Sequence, residues 1–325
     1  MQNICVSASV ATDHLMTFSG KFSDSLLPEE LANLSVSFLV DNLEIRRGGV
    51  GGNIAFALAQ FGVRPVLVSA VGQDFADYGS WLERHGVDIE SIRISEELHT
   101  ARFVCTTDQN ANQIATFYAG AMSESRLVEL QPVADRVGPL DLVLIGATDP
   151  VAMERHTQEC RERGIAFAAD PSQQLSFLDG DSIRRLISDA KYLFSNEYES
   201  ALILKKTGWT EEELLDQVEI QVTTLGDKGS RIKIKGSQTV EIPACSVSGV
   251  VDPTGVGDAF RGGFIAGLAA GCKLEDCARM GSTLAAFVIE SVGTQEYTFD
   301  RDVYLNRLEA NYGAEVRERV VQAWV

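Results

Sequence analysis

Short apolar runs alternate with amphipathic segments along most of the chain, and this alternation constrains the fold more than any other feature of the sequence. Six runs have the length and composition of buried strands: Ile4–Val10, Pro65–Val71, Asp141–Ile145, Ala166–Ala169, Tyr192–Ser195 and Ile220–Leu225. Segments with a helical period are Asn53–Phe61, Phe75–His85, Ala152–Arg163, Ser182–Ala190, Glu211–Gln217, Asp258–Ala270 and Leu274–Val292. Strands that alternate with helices typically form a parallel sheet covered on both faces. We therefore predict an α/β fold with a doubly wound, mostly parallel sheet.

Two stretches interrupt this alternation with pairs of short strand-like segments. These segments are Val36–Val40 with Leu43–Arg46, and Arg102–Thr106 with Gln113–Tyr118. No crossover helix separates the members of a pair, so each pair predicts antiparallel β structure. Together they predict a small β-sheet that acts as a lid over the strand ends. We expect a large domain from residues 1–14, 48–98 and 121–325, and a lid from residues 15–47 and 99–120.

The acidic balance of the chain limits its partners. The formal net charge is -18, from 28 basic and 46 acidic residues, which disfavours nucleic acids and anionic membranes. No apolar run approaches the ~20 residues that span a bilayer, and the N-terminus lacks the basic stretch of a signal peptide. The six cysteines form no CxxC pair and the four histidines have no zinc-ligand spacing. These features predict a cytoplasmic protein with reduced thiols.

The segment Asp252–Phe260 has the composition of a phosphoryl-transfer site. Gly255 and Gly257 allow consecutive backbone amides to point one way at the start of a helix, which suits a phosphoryl group. Asp258 follows directly and could take the proton of an acceptor hydroxyl. The alternative is that Asp258 only caps a helix that begins at Ala259. Asp252 and Thr254, which precede the glycines in the same segment, favour the catalytic interpretation.

Other segments offer groups for a neutral acceptor. Four glycines precede Asn53 in Arg46–Asn53, where the backbone could approach a polyol, although a plain turn has the same composition. Asp13 follows the first strand, at the edge where α/β folds bind ligands, although it could equally cap a helix or lie in a loop. No GxxxxGK[ST] segment occurs, which excludes kinases with a Walker-type phosphate loop.

Three weaker signals complete the candidate site. Asn196 and Glu199 could hold magnesium-bound water near ATP, although the same spacing predicts a capping box. Phe103 and Phe117 could stack on a planar base or pack within the lid. Hydroxyl and glycine positions after a strand could contact a nucleotide or form a hairpin turn; they are Thr223, Thr224, Gly226 and Gly229.

Taken together, these segments resemble the ribokinase family of carbohydrate kinases. The family has a Gly-Gly…Asn signature, present as Gly48–Asn53, and a D-[ST]-x-G-[AV]-G-D signature, present as Asp252–Asp258. Its NxxE element is present as Asn196 to Glu199. The resemblance spans essentially the whole chain and implies a ribokinase-like fold with ATP as phosphate donor. Pro253 departs from the Thr or Ser of many family members without affecting the catalytic carboxylate.

Within the family, the chain is most similar to bacterial adenosine kinases of the actinobacterial type, which implies adenosine as acceptor. By this resemblance the nucleoside pocket is lined by Ser9, Asp13, Ser37, Gly49, Asn53, Phe103 and Phe117. Asp13 would bind the ribose 2′ and 3′ hydroxyls, and Asp258 would deprotonate the 5′ hydroxyl beside the amides of Gly255, Val256 and Gly257. The resemblance also implies Mg²⁺ held through water at Glu199, K⁺ near Asp252 and Thr254, and a homodimer formed through the lid.

Three other functions are alternatives to an adenosine kinase. Family members share these motifs, so a kinase of ribose, fructose or another purine nucleoside is the first alternative. A non-catalytic nucleoside-binding protein is disfavoured because Asp258 and its glycines would serve no purpose there. A Rossmann dehydrogenase is disfavoured because no GxGxxG follows the first strand.

Overall fold

A computed structural model of the chain describes residues 1–26 and 35–324. Its strands are β1 (Ile4–Ser7), β2 (Ala11–Thr17), β3 (Asn42–Gly48), β4 (Val66–Val68), β5 (Ala70–Gly72), β6 (Arg93–Ser95), β7 (Ala101–Thr107), β8 (Gln113–Tyr118), β9 (Leu142–Gly146), β10 (Phe167–Asp170), β11 (Ala190–Asn196), β12 (Val218–Thr224), β13 (Ser230–Lys233) and β14 (Val240–Ile242). Its helices are α1 (Phe22–Ser25), α2 (Val50–Gln60), α3 (Ala76–Arg84), α4 (Leu130–Val137), α5 (Pro150–Arg163), α6 (Gly180–Ile187), α7 (Glu197–Thr207), α8 (Glu211–Gln217), α9 (Val256–Ala270), α10 (Leu274–Ile289), α11 (Arg301–Tyr312) and α12 (Ala314–Ala323).

The main sheet has eight strands in the order β14-β13-β12-β11-β10-β9-β1-β4. Its parallel strands β1, β4, β9, β10, β11 and β12 correspond to the six predicted apolar runs, which confirms the mostly parallel sheet. The sequence analysis missed β13 and β14, which extend the sheet with antiparallel pairing as far as its edge at β14. Both are short, and charged side chains alternate with their apolar ones, so they lack an apolar run.

Helices cover both faces of the main sheet and form two separate cores. The larger core contains side chains of α2, α3 and α9 to α12, and the smaller one contains side chains of α4 to α8. Successive strand residues supply opposite cores, as Cys5 and Val6 of β1 illustrate. This arrangement confirms the doubly wound fold.

A second, four-stranded sheet has the order β3-β2-β7-β8, and we call it the small sheet. The predicted hairpin of β7 and β8 is present. The other predicted hairpin is wrong: Val36–Val40 forms no strand, and β3 pairs with β2 instead. Phe38 packs 5.1 Å from Phe18 and 4.9 Å from Phe22 between ring centroids, so its apolar segment fills a cluster instead of a sheet. Part of the predicted lid segment, residues 27–34, lies outside the described residues.

All six cysteines are free thiols, and five of them are buried. Across the two described ranges, no helix combines the length and the apolar character that crossing a membrane would require.

The carboxyl ends of the parallel strands face the small sheet. β10, β11 and β12 end at Asp170, Asn196 and Thr224, and the chain passes from β1 through residues 8–10 directly into β2. Polar groups at these strand ends therefore meet polar groups of the small sheet, at the edge where α/β folds bind ligands.

Candidate active site

A cavity of about 700 Å³ lies between the strand ends and the small sheet. It collects most of the residues that the sequence analysis selected, although they are scattered along the chain. The predicted residues that line it are Ser9, Asp13, Gly49, Asn53, Phe103, Phe117, Asn196, Glu199, Thr224, Gly226, Asp252, Thr254, Gly255, Gly257 and Asp258.

Four predicted residues do not line the cavity. Ser37 is exposed in the irregular segment before β3. Thr223 is buried in β12, where its side chain points to the side opposite that of its neighbour Thr224. Gly229 lies beyond the turn after β12, directly before β13. Val256 is the first residue of α9, and its side chain packs against the larger core.

Asp258 lies at the start of α9, inside the cavity. The helix begins at Val256 with Gly255 as its N-cap, so the alternative of Asp258 as the N-cap of a later helix is wrong. Its carboxylate accepts a hydrogen bond from Asn53 Nδ2 at 2.8 Å. Burial raises the pKa of Asp258 to about 6, although the Asn53 hydrogen bond and the Arg261 charge act in the opposite direction. A carboxylate with this pKa is ionised at neutral pH and can accept a proton.

The first turn of α9 lies beside the same cavity, which Gly255 and Gly257 line. The first helical hydrogen bond of this turn runs from Ala259 N to Gly255 O at 2.9 Å, so the amides of Val256, Gly257 and Asp258 precede it. Gly255 has a φ of 72°, and a Cβ there would lie 2.6 Å from Thr294 Cγ2. The turn therefore depends on glycine, and the helix N-terminus that it forms suits an anion.

Asn53 is held in a buried network that the sequence analysis missed. Its Oδ1 accepts from Thr294 Oγ1 at 2.8 Å and from Gln295 Nε2 at 3.0 Å. Gln295 Nε2 also donates to the Tyr78 hydroxyl at 2.6 Å, and this hydroxyl donates to Gly48 O at 2.9 Å. Gln295 is separated from Asn53 by 242 residues, and no local pattern links them.

A buried ion pair also escaped the sequence analysis. Arg261 Nη2 donates to Asp170 Oδ1 at 2.7 Å, and both residues are at least 95% buried. Burial lowers the pKa of Arg261, but the attraction of Asp170 outweighs this effect and raises the pKa above its usual value. The guanidinium stays charged and lies 3.8 Å from Glu199 at the cavity wall. No pattern in the sequence links Asp170 and Arg261, which are 91 positions apart.

Asp13 faces the cavity from the middle of the small sheet. It lies in β2 directly between Arg46 of β3 and Phe103 of β7. Burial raises its pKa to about 6, Arg46 lowers it, and the nearby Asp252 raises it further. A partly buried carboxylate on an open sheet face has free lone pairs for ligand hydroxyls.

Phe103 and Phe117 are cross-strand partners in β7 and β8. Both line the cavity, and Phe117 is 55% exposed. Directly paired residues lie on the same face of a sheet. The pair therefore presents aromatic surface beside Asp13.

Asp252 accepts hydrogen bonds on both of its carboxylate oxygens. Oδ1 accepts from Thr254 N at 2.9 Å, and Oδ2 accepts from Gly293 N at 3.0 Å. Arg46 Nη1 lies 3.4 Å from Oδ2. The positive charge beside this carboxylate is thus supplied by a side chain of the small sheet.

The strand ends on the far side of the cavity carry the remaining candidates. Asn196 and Glu199 form the capping box of α7, with Asn196 Oδ1 accepting from Glu199 N at 2.7 Å. Thr224 and Gly226 belong to the turn that connects β12 to β13, as the hairpin alternative predicted. All four still line the cavity, so the local structural role leaves them accessible to a ligand.

Comparison with known proteins relates this chain to a family. The pfkB family carbohydrate kinase profile matches residues 10–300. A nucleoside kinase of Methanothermobacter thermautotrophicus is 30% identical over 290 residues, which cover 88% of this chain and 92% of the relative. The structure of Burkholderia thailandensis nucleoside kinase in complex with inosine is 33% identical, with a TM-score of 0.83 over 96% of this chain and 99% of that one. Its complex with ADP-inosine has a TM-score of 0.81, with 34% identity over 96% of each chain.

Proposed function

The chain belongs to the pfkB family of carbohydrate kinases, within the ribokinase superfamily, and on this basis we propose that it phosphorylates adenosine at the 5′ hydroxyl to give AMP and ADP. Membership makes it an ATP-dependent phosphotransferase with a hydroxyl acceptor. The observation that carries the proposal is one cavity in which Asp258 and the open amides of α9 face Asp13 and an aromatic pair on the small sheet. A nucleoside offers a hydroxyl, a diol and a planar base to these groups.

In the proposed reaction, Asp258 takes the proton of the 5′ hydroxyl as the oxygen bonds to the γ-phosphorus. The bond from this phosphorus to the bridging oxygen of ATP breaks, and ADP leaves. The amides of Val256 and Gly257 would stabilise the charge on the transferred group, because they precede the first hydrogen bond of α9 at a helix N-terminus, where Gly255 and Gly257 line the cavity. Arg261 adds positive charge nearby, and its bond to Asp170 keeps it in place.

Acceptor binding is assigned to the small sheet. Asp13 accepts hydrogen bonds from the ribose 2′ and 3′ hydroxyls, which gives the carboxylate the partners that its partial burial otherwise denies it. Asn53 has a second Nδ2 hydrogen beyond the one directed at Asp258, and this hydrogen is available to a ribose oxygen. Gly49 packs against the backbone of residues 9–11, where a Cβ would lie 2.6 Å from Ser9 O, and it lines the cavity that would hold the ribose.

Base recognition is assigned to Phe103 and Phe117. Stacking against aromatic rings favours a purine over a free sugar, whereas ribose and fructose would gain nothing from this pair. The relative from Burkholderia thailandensis is described with inosine, which also has a purine base. Inosine is therefore the second candidate acceptor.

Magnesium would arrive with ATP. The described residues contain no cluster of three metal-ligating side chains, so the phosphates and water would supply most of the ligands. Glu199 fits an outer role: its Oε2 accepts from Asn196 N at 2.8 Å, and its other oxygen remains for a bound water. The ion would neutralise charge on the phosphates.

Potassium near Asp252 and Thr254 stays a prediction. Each Asp252 oxygen accepts one amide hydrogen bond and keeps a second lone pair, so the carboxylate could still contribute to a cation site with the Thr254 carbonyl. The guanidinium of Arg46 already balances its charge.

We further propose that residues 15–47 and 99–120, together with residues 11–14 that the structure adds to the small sheet, act as a lid on a large domain formed by the rest of residues 1–14, 48–98 and 121–325, and that two lids pair in a homodimer. The face of the small sheet opposite Asp13 carries exposed apolar side chains among polar ones such as His14 and Thr116, with Leu43, Ile45 and Ile114 between 44% and 61% exposed. These residues and their cross-strand partners form adjacent rows of one face. Apolar sheet faces of this kind are commonly covered by a second copy.

We expect Ile45→Glu to weaken the dimer at least about a hundredfold, because it buries a charge in an apolar interface. Sedimentation velocity over a concentration series measures the change. Val303→Glu is the matched control, since Val303 is 54% exposed on α11, away from the small sheet. A wild-type chain that sediments as a monomer at all concentrations would contradict the dimer.

The function itself is tested by ADP release with Mg-ATP on adenosine, inosine, ribose and fructose in parallel. We expect kcat/KM for adenosine to exceed that for the free sugars by at least about a thousandfold, because the sugars lack the base. Turnover of inosine at an equal rate would broaden the acceptor to purine nucleosides. Turnover of a sugar alone would refute the nucleoside assignment while keeping the phosphotransfer chemistry.

A further inference from the structure

A chain of hydrogen bonds leads from the Gly48 carbonyl to the carboxylate of Asp258, and its direction is determined at the start. A carbonyl oxygen can only accept a hydrogen bond, so the Tyr78 hydroxyl donates its one proton to Gly48 O at 2.9 Å. The Tyr78 oxygen must then accept from Gln295 Nε2 at 2.6 Å. Gln295 therefore presents an NH2 group, whose other hydrogen is donated to Asn53 Oδ1 at 3.0 Å.

We propose that Gln295 is a positioning residue that fixes the side-chain amide of Asn53, so that its NH2 group points at the carboxylate of Asp258. This inference rests on the proposed function only in naming Asp258 as the base. With its Oδ1 held by Gln295, Asn53 has Nδ2 left for Asp258, at 2.8 Å. A flipped Asn53 would instead place two oxygens against each other.

Thr294 cannot replace Gln295 in this role. Its hydroxyl lies 3.0 Å from Arg47 O and 2.8 Å from Asn53 Oδ1, but it has a single proton for these two acceptors. A hydroxyl can also rotate and accept, so it would tolerate either orientation of the Asn53 amide. Gln295 is the donor that discriminates between them.

The residues of this hydrogen-bond series are buried, and the surrounding packing leaves room for them. Gln295 is 99% buried and Tyr78 is 95% buried. A Cβ on Gly52 would lie 2.1 Å from the Tyr78 hydroxyl, so this glycine of the Gly48–Asn53 signature makes room for it. Gln295 Oε1 has no hydrogen-bond partner. A buried unsatisfied acceptor costs free energy, and this cost accompanies the orientation that directs the NH2 group at Tyr78 and Asn53.

The surroundings of Asp258 decide the direction of the effect. Arg261 on α9 favours the ionised form of Asp258, whereas Asp170 of β10 and Glu199 of α7 disfavour it. Asn53 on α2 is the neutral group that favours ionisation through a hydrogen bond. Without a correctly oriented amide, burial and the two acidic neighbours prevail and the pKa of Asp258 rises.

The test is Gln295→Met, which keeps the side-chain length and removes both donors. We expect the pKa of Asp258 to rise by about one unit from about 6, read from the ¹³C signal of its carboxyl carbon and assigned with Asp258→Asn. This titration needs no turnover, so it tests the inference even if nucleosides prove not to be substrates. In the assay, kcat/KM should fall about fivefold near pH 6 and little at pH 8.5, where Asp258 is ionised in both proteins.

Two further variants separate positioning from damage. Gln221→Met removes another buried glutamine, whose Nε2 bonds Ser200 Oγ at 3.2 Å outside the cavity, and should leave the titration unchanged. Tyr78→Phe should shift the pKa in the same direction as Gln295→Met, and should add nothing when combined with it. If Gln295→Met fails to fold, Tyr78→Phe alone decides. An Asp258 pKa that stays at its wild-type value in the folded variants, or a loss of activity equal at all pH values, would overturn the inference.

Discussion

Asp258→Asn is expected to lower kcat about a thousandfold, with the KM values for adenosine and ATP changing by less than about threefold. The amide cannot take the proton of the 5′ hydroxyl. Its oxygen can still accept from Asn53 Nδ2, so the local geometry and the start of α9 should survive. Steady-state ADP release gives kcat, and titration calorimetry with adenosine checks that binding persists.

Asp302→Asn is the matched control, since it removes a carboxylate from the first turn of α11, outside the cavity. It should leave kcat within about twofold. The wild-type enzyme should lose kcat/KM as the pH falls through about 6, because the raised pKa of Asp258 sets where its active, ionised form disappears. A variant at position 258 that keeps more than about a tenth of kcat would remove this residue from the role of base.

Asp13→Ala is expected to raise the KM for adenosine about a hundredfold, while the KM for ATP changes by less than about twofold. Two hydrogen bonds from ribose hydroxyls to a carboxylate are each worth about 1.5–3 kcal/mol, and one such loss is about tenfold or more in affinity. The fold should tolerate the change, since burial already disfavours the Asp13 charge in the free protein. Initial-rate kinetics with each substrate varied in turn give both constants.

A deoxynucleoside makes the Asp13 prediction specific. With 2′-deoxyadenosine the wild-type enzyme should lose affinity, whereas Asp13→Ala should lose little more, because the partner of the missing hydroxyl is already gone. Thr12→Ala, one residue earlier on the opposite face of β2, serves as control and should behave as wild type. An unchanged adenosine KM in Asp13→Ala would refute the ribose assignment.

The parts of the site that could be predicted from sequence are those that depend on local pattern. Apolar runs located the parallel strands, and the glycines around Asp258 indicated a tight turn at a helix start. The strand period also explains one partial failure: Thr223 and Thr224 are adjacent, and a sequence alone does not tell which of them faces the cavity. Short strands such as β13 and β14 carry too weak a pattern to be detected.

The parts that could not be predicted depend on contacts between distant segments. Asp170 and Arg261 are 91 residues apart, and each alone is an ordinary charged residue. Gln295 becomes informative only when Asn53 and Tyr78 are placed around its amide. The prediction of a strand at Val36–Val40 was wrong for a related reason. Phe38 packs in an aromatic cluster, and this packing competes with the sheet pairing that the alternating pattern of the segment predicts.

The short connection from β1 to β2 has a consequence for the hydrolysis of ATP in the absence of an acceptor. Asp13 belongs to a strand of the small sheet, and only residues 8–10 separate this strand from β1, so any movement of the small sheet also moves the group proposed to bind the sugar. In the proposed function, capturing the acceptor and excluding solvent from the phosphates are then one event. In that case the site would stay open while ATP alone is bound. The closed arrangement that promotes phosphoryl transfer would form only with a nucleoside present, which would limit transfer of the γ-phosphate to water.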